Sequence, residues 1–358
     1  TRTVIARRWL VIGAALLTAV LIGSGAAKLE FSTNYRVFFS DANPELQAFE
    51  DLQNTYTKND NFMFVIEPRN GGSFESRTAI AVEELTEAAW QIPYAIRVDS
   101  ISNFQHTYAI EDDLIVENLV DDAEQRDARF LDERREIALA EPLIRDQILT
   151  PDAKVTAVNV VLQYPEKGFM EVPEAVAFAR DLKDDIEARY PDIEVHLTGV
   201  SMLNNAFAET GMKDGATLMP LMFGVIFLLA WLIMRSFSAT LSTLVVIAFS
   251  TMVGMGVAGF AGIKLTPIAM SAPIVILTLA VADSIHILLS LRGLMREGAD
   301  KANAIVEAVR LNFLPVTITS LTTIVGFLSL NFSDSPPYWH LGNITAVGIA
   351  AAWVFSLT

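Results

Sequence analysis

Residues 266–291 read TPIAMSAPIVILTLAVADSIHILLSL, a run of 26 residues, almost wholly apolar, bounded by Lys264 and Arg292. An α-helix rises about 1.5 Å per residue, so this run is long enough to cross a hydrocarbon core of about 30 Å with some tilt. Two ionisable residues interrupt it, Asp283 and His286. A carboxylate at membrane depth costs roughly 2.5 kcal/mol or more, so such residues usually face a protein interior or a water path. Their i, i+3 spacing puts both on one side of the helix. Pro267 suits a helix start, whereas Pro273 lies further inside and predicts a kink.

The rest of the chain supports a membrane setting. It has 358 residues, 52% hydrophobic, with a mean hydropathy of +0.38. That is too apolar for an ordinary soluble domain and predicts several spans. With no cysteine, a disulfide frame and thiolate metal ligation are both excluded. The net charge of −16 is unevenly spread: residues 28–215 carry 37 acids and 17 bases, the remainder 5 acids and 9 bases. An acidic module is joined to a slightly basic membrane block, and nucleic acid is not an expected partner, because phosphate binding needs a basic surface.

Six apolar segments are expected to span. Trp9–Ala27 follows Arg2, Arg7 and Arg8 and reads as a first span starting inside. A signal peptide with a cleavage site at SGAA is the competing reading. Gly13, Gly23 and Gly25 would permit close helix contacts. Segments 216–234, 240–262, 266–291, 311–330 and 341–358 follow, with 292–310 as a cytoplasmic link carrying Arg292, Arg296, Lys301 and Arg310. Short inner loops hold the arginines and outer ones almost none, which puts residues 28–215 outside the cytoplasm. Asn331–His340 is a short outer loop.

Residues 28–215 are expected to fold. Asn43-Pro44 followed by ELQAFEDLQNTY reads as a capped helix. Strands are expected at Asn61–Glu67, Ala95–Ile101, Val155–Tyr164 and Ile193–Gly199, with helices at Glu75–Gln91 and Val172–Tyr190. The order βαββαβ is the split-βαβ, ferredoxin-like α+β pattern. Its helices would cover one face of a four-stranded antiparallel sheet. Residues near 103–150, rich in helix formers and opposite charges three and four apart, are expected to be a helical appendage.

The buried carboxylate carries the chemistry. An uncharged Asp283 could sit among apolar side chains, whereas the charged form demands donors or water. His286 could share its proton or simply fill space. Depth names further candidates. Asp283 is nine residues before Arg292, and Thr319 is nine after Arg310 on the next, antiparallel span. Thr319, Thr322 and Thr323 are therefore expected level with Asp283, as relay members or as threonines bonded back to their own helix. Gly254-Met-Gly256-Val-Ala-Gly259 matches GxGxxG but lies inside an apolar span, so close helix packing is the better reading. His106, His196 and His340 show no metal-ligand spacing. Asn331-Phe-Ser333 and Asn343-Ile-Thr345 match glycosylation sequons, but a short loop and a helix start at the membrane are poor acceptors. No nucleophile–base pair or P-loop is visible, so an enzyme, a cofactor and ATP drive are not expected.

The layout resembles the resistance–nodulation–division superfamily, more closely its MMPL-type and Patched-like lipid-transporting branch than its multidrug pumps. The resemblance rests on LAVADSIHILL (279–289), REGADKANAIVEAV (296–309), LPVTITSLTTIVGFLSLNFSDSPP (314–337) and FFSDANP (38–44), and covers essentially the whole chain. It implies a proton-motive-force-driven transporter of lipids or other hydrophobic molecules, with residues 28–215 as a porter domain. It also implies a bacterial cytoplasmic membrane with that domain on the periplasmic side, a further C-terminal repeat of similar size, and room for a homo-oligomer or a periplasmic partner. Relatives often pair two acids in the fourth span, as in G-V-D-D-x-x-H; here the first of the pair is Ala282. A sterol-sensing-like receptor that binds lipid without moving it is the alternative, and Asp283 separates the two.

Overall fold

The computed structural model describes residues 1–32, 35–56, 60–165 and 170–358. The chain begins with α1 (Arg2–Ala6), α2 (Arg8–Gly23) and α3 (Pro44–Thr55). It continues through β1 (Asp60–Pro68), α4 (Ser76–Ala89), β2 (Ala95–Asp99), β3 (Gln105–Ile110), β4 (Asp113–Asn118), α5 (Ala128–Ala140), β5 (Thr156–Leu162), α6 (Glu171–Arg189) and β6 (Ile193–Thr198). The last helices are α7 (Val200–Met234), α8 (Phe237–Phe260), α9 (Ala272–Arg296), α10 (Lys301–Leu328) and α11 (Pro336–Leu357). The contacts divide the chain into a helical unit, residues 1–46 and 207–358, and a polar unit, residues 47–206.

The polar unit is built on a four-stranded antiparallel sheet with strand order β2-β5-β1-β6. Alternate residues of β1 point inward, so Phe62, Phe64 and Ile66 are fully buried, opposite Val160, Val158 and Thr156 of β5. Val82 and Leu85 of α4 and Val176, Ala179 and Ile186 of α6 join the same core. Asn43 caps α3 by accepting from the Leu46 amide at 2.9 Å, with Pro44 in the first turn.

The segment near 103–150 differs from expectation. It is not mostly helical: β3 and β4 form a hairpin, and the helix is confined to α5. Ile110 pairs with Asp113, leaving a two-residue turn in which Glu111 adopts φ 54°. The alternation in QHTYAI and DLIVEN encodes it, but the acids at the turn hide it within a charged run. Asp127 caps α5 by accepting from the Phe130 amide, and Pro142 stands just beyond the helix end. Nor is the segment an appendage. Leu119, Val120, Leu131, Ala138, Ile144 and Leu149 are buried in the main core.

Six helices in the described residues are long and apolar enough to cross a membrane: Arg8–Lys28, Val200–Met234, Phe237–Phe260, Ala269–Arg296, Lys301–Phe332 and Pro336–Leu357. The fourth runs on to Arg296, the sixth starts at Pro336, inside the expected outer loop 331–340, and two others start well before their expected bounds. The second starts at Val200 rather than at 216, and the fifth starts at Lys301 rather than at 311. The expected link 292–310 is therefore mostly helix, broken only at 297–300, where Gly298 has φ 93° and Asp300 caps α10. Pro273 makes no kink. α9 begins at Ala272, so the proline occupies the first turn, where its missing N–H costs no helical bond.

Small residues set the closest helix contacts. A Cβ added to Gly256 would lie 2.0 Å from the Ile22 carbonyl oxygen, and one on Gly259 would lie 1.9 Å from that of Gly25. The α2 end and α8 therefore touch backbone to backbone, which only glycine permits at these positions. Gly13 takes no part, since nothing lies within 4 Å of its would-be Cβ. Ile276 of α9 fills the space above Gly254 of α8 and Gly348 of α11.

Candidate functional site

Asp283 stands on α9 and faces α10. It is 7% exposed and accepts a hydrogen bond of 3.1 Å from Ser320 Oγ, itself 5% exposed. Both border a cavity of about 320 Å³ between α9, α10 and Ile349 of α11. That is room for several water molecules at roughly 30 Å³ each. His286 borders the cavity one turn from Asp283, with no hydrogen-bond partner among the described residues. Ala282 lines it as well, so an acid at this position, as in the paired pattern, would face the same space.

Of the threonines expected here, Thr319 and Thr323 reach the cavity wall and Thr322 does not. Each hydroxyl bonds back to its own helix: Thr319 to the Pro315 and Val316 carbonyls, Thr322 to those of Ile318 and Thr319, and Thr323 to that of Thr319. Successive helical residues turn by about 100°, so the residue aimed at Asp283 is Ser320, beside Thr319.

Asn312 is a second participant the sequence did not single out. It lines the same cavity, and its Nδ2 donates to Ser290 Oγ and to the Ala308 carbonyl, both at 2.8 Å. Ser290 follows Asp283 by seven residues, two turns along the same face of α9. Asp283, His286, Ser290, Asn312 and Ser320 form a polar seam between two otherwise apolar helices. The available signal was the row of polar residues at helical spacing in 312–323. Pro315 interrupts it and leaves the Leu311 carbonyl without its usual helical donor.

The described residues contain no group of three or more His, Asp or Glu side chains placed to hold a metal ion. The chemistry on offer is one titratable carboxyl and one imidazole, with the Ser320 hydroxyl and the Asn312 amide, around a small space between membrane-length helices.

These features define a polytopic helical membrane protein with an ionisable group buried among its spans. The chain belongs to the MMPL family, whose profile matches residues 44–358. It is also similar to a "putative membrane protein" of Methanocaldococcus jannaschii, 22% identical over 356 residues, covering 96% of this chain and 86% of that one.

Proposed function

We propose that the protein is a transporter of lipids or other hydrophobic molecules driven by the proton-motive force, with Asp283 as its proton-carrying group. The observation that carries this is a carboxylate, almost fully buried between two membrane-length helices, held by Ser320 beside a cavity that His286 also borders. Loading Asp283 with a proton removes a charge from that cavity, and releasing it restores the need for donors or water. Two arrangements of α9 against α10 are thereby favoured in turn. Membership of the MMPL family supports transport of hydrophobic substances.

In this reading residues 28–215 form a ferredoxin-like porter domain on the outer, periplasmic side of a bacterial cytoplasmic membrane. The strand order β2-β5-β1-β6, with α4 and α6 contributing to one core, supports the split-βαβ assignment. The arginines at 292, 296 and 310 support the sidedness. Cargo would enter from the bilayer or the outer surface and leave through the porter domain. Ala282 in place of a second acid limits this repeat to one carrier carboxylate.

The test is Asp283→Asn in the complete protein reconstituted in liposomes, which keeps shape and removes titration. Proton-coupled transport should be abolished while insertion and thermal stability are retained. Normal coupled transport by Asp283→Asn would exclude the relay, and lipid binding without any transport by the unaltered protein would favour the sterol-sensing-like receptor.

A further inference from the structure

α10, which carries Ser320, is tied at its far end to the linker that follows α2. Past Leu328 the chain makes a short turn, Ser329–Phe332. The Ser333 amide then donates to the Leu330 carbonyl at 3.0 Å, and the Ser335 amide to Ser333 Oγ at 3.2 Å. Ser335 is the residue just before α11. A serine there ordinarily accepts from an amide in the first turn of its own helix. Here the helix opens with Pro336 and Pro337, which have no amide to give, and the Ser335 side chain caps nothing. Its hydroxyl donates instead to the Phe38 carbonyl at 2.7 Å, 297 residues away along the chain.

Phe38 ends a short turn, Tyr35–Phe38. From there hydrogen bonds lead on to α3. The Phe39 amide donates to the Arg36 carbonyl at 3.0 Å, the Asn43 amide to the Ser40 carbonyl at 2.8 Å, and the Leu46 amide to Asn43 Oδ1 at 2.9 Å. α3 then takes the chain into the polar unit. Helix, hydrogen-bonded turns and the Ser335 contact thus run from Ser320 to α3. The same linker is also held at the entrance of α9. Leu265, just before that helix turns in, donates to the Glu30 carbonyl at 2.7 Å and accepts from the Ser32 amide at 2.9 Å. Residues of one linker are therefore fastened to both helices of the Asp283–Ser320 pair, to α9 at its start and to α10 beyond its end.

We propose that Ser335 is a positioning residue that passes a shift of α10 to the linker and α3, and so couples the charge on Asp283 to the polar unit. The proposal rests on the reading of Asp283 as the proton carrier and adds its route outward. When α9 and α10 change their arrangement, the Leu265 tie holds residues 30–32 with α9, while the Ser335 tie draws Phe38 and α3 with α10. A route of this kind is established by coupling between its two ends, and adjacency alone does not suffice.

The complete protein has no native cysteine in 1–358, so two exposed positions can carry spin labels, Glu45→Cys in α3 and Ala261→Cys at the end of α8. Their separation is measured by double electron–electron resonance in nanodiscs, with Asp283 intact and with Asp283→Asn as the uncharged form. The change at Asp283 should shift the mean distance by about 1–2 Å, the scale of helix shifts in switching proteins. Ser335→Ala should abolish that shift, and Ser335→Thr, which keeps the hydroxyl, should retain it. Ser329→Ala should retain it too, because the Ser329 hydroxyl bonds only to the Gly326 carbonyl of its own helix. No shift on Asp283→Asn with Ser335 intact would overturn the proposal. So would the same shift with Ser335→Ala, or an equal loss with Ser329→Ala. Transport by Asp283→Asn is read separately: it decides the proton reading, and the distances decide the tie.

Discussion

Ser320 of α10 donates a hydrogen bond to Asp283 of α9, joining two membrane-length helices through the buried carboxylate. Polar contacts between helices in a membrane average about 0.6 kcal/mol and reach about 1.7 kcal/mol. Ser320→Ala should therefore slow proton-coupled flux by roughly three- to twentyfold, while Ser320→Thr, which keeps the hydroxyl, retains most of it. Initial rates in liposomes decide the matter. An unchanged rate for Ser320→Ala would remove this hydroxyl from the relay.

Asn312 ties α10 to Ser290 at the border of the same cavity. Asn312→Ala should loosen that border and expose the cavity. The absence of native cysteine allows a clean reading, because Ala282→Cys places one thiol on the cavity wall. Maleimide labelling at that position should accelerate severalfold when Asn312→Ala is added. An unaltered rate would show that the amide does not close the space.

The backbone contact between α2 and α8 leaves no room for a methyl group at Gly256. Gly256→Ala must push the helices apart, at a cost of about 1–3 kcal/mol. Thermal unfolding in detergent should register the loss, and Gly13→Ala, in open space, should not. Equal melting temperatures for the two variants would contradict the contact.

In the polar unit, Glu83 of α4 accepts the backbone amides of Asp122 and Ala123 at 2.8 and 2.9 Å. It thereby fixes a turn in which Asp122 adopts φ 50°. Glu83→Ala should destabilise this region by about 1.5–3 kcal/mol, the range for hydrogen bonds to a charged group. Hydrogen exchange at the amides of 122 and 123 is the readout; retained protection would show that the carboxylate is dispensable.

Glu187 of α6 accepts from the Val195 amide at 2.9 Å and from Lys183 Nζ at 2.7 Å. Burial opposes its charge, but Lys183 and the Val195 amide outweigh it and hold the carboxyl below its usual range. A folded-state pKa below the unfolded one stabilises above the unfolded value and loses that contribution as pH falls through the folded value. The contact between α6 and β6 should hold above about pH 4.5 and weaken below it. Glu187→Gln should remove this acid dependence from exchange at Val195. Persistence of the same dependence in the variant would assign it to another group.

Hydropathy and periodicity are local properties, so the amino-acid sequence alone determined six apolar segments, an acidic folded insertion, four strands within a few residues, and one carboxylate in the fourth span. It also put the polar stretch 319–323 near the turn of α10 that meets Asp283, because rise per residue is the same along both helices. The β3–β4 hairpin escaped because acids at its turn merge with the charged run that becomes α5. The full lengths of α7 and α10 escaped because polar residues extend a helix without adding hydropathy. Only the tertiary structure decided which residue meets Asp283. A helix advances little per residue but turns by about 100°, so depth can be counted along the chain while facing depends on how α10 is rotated against α9. That rotation comes from packing across the bundle and puts Ser320, not Thr319, against the carboxylate, with Asn312 at the border of the same cavity.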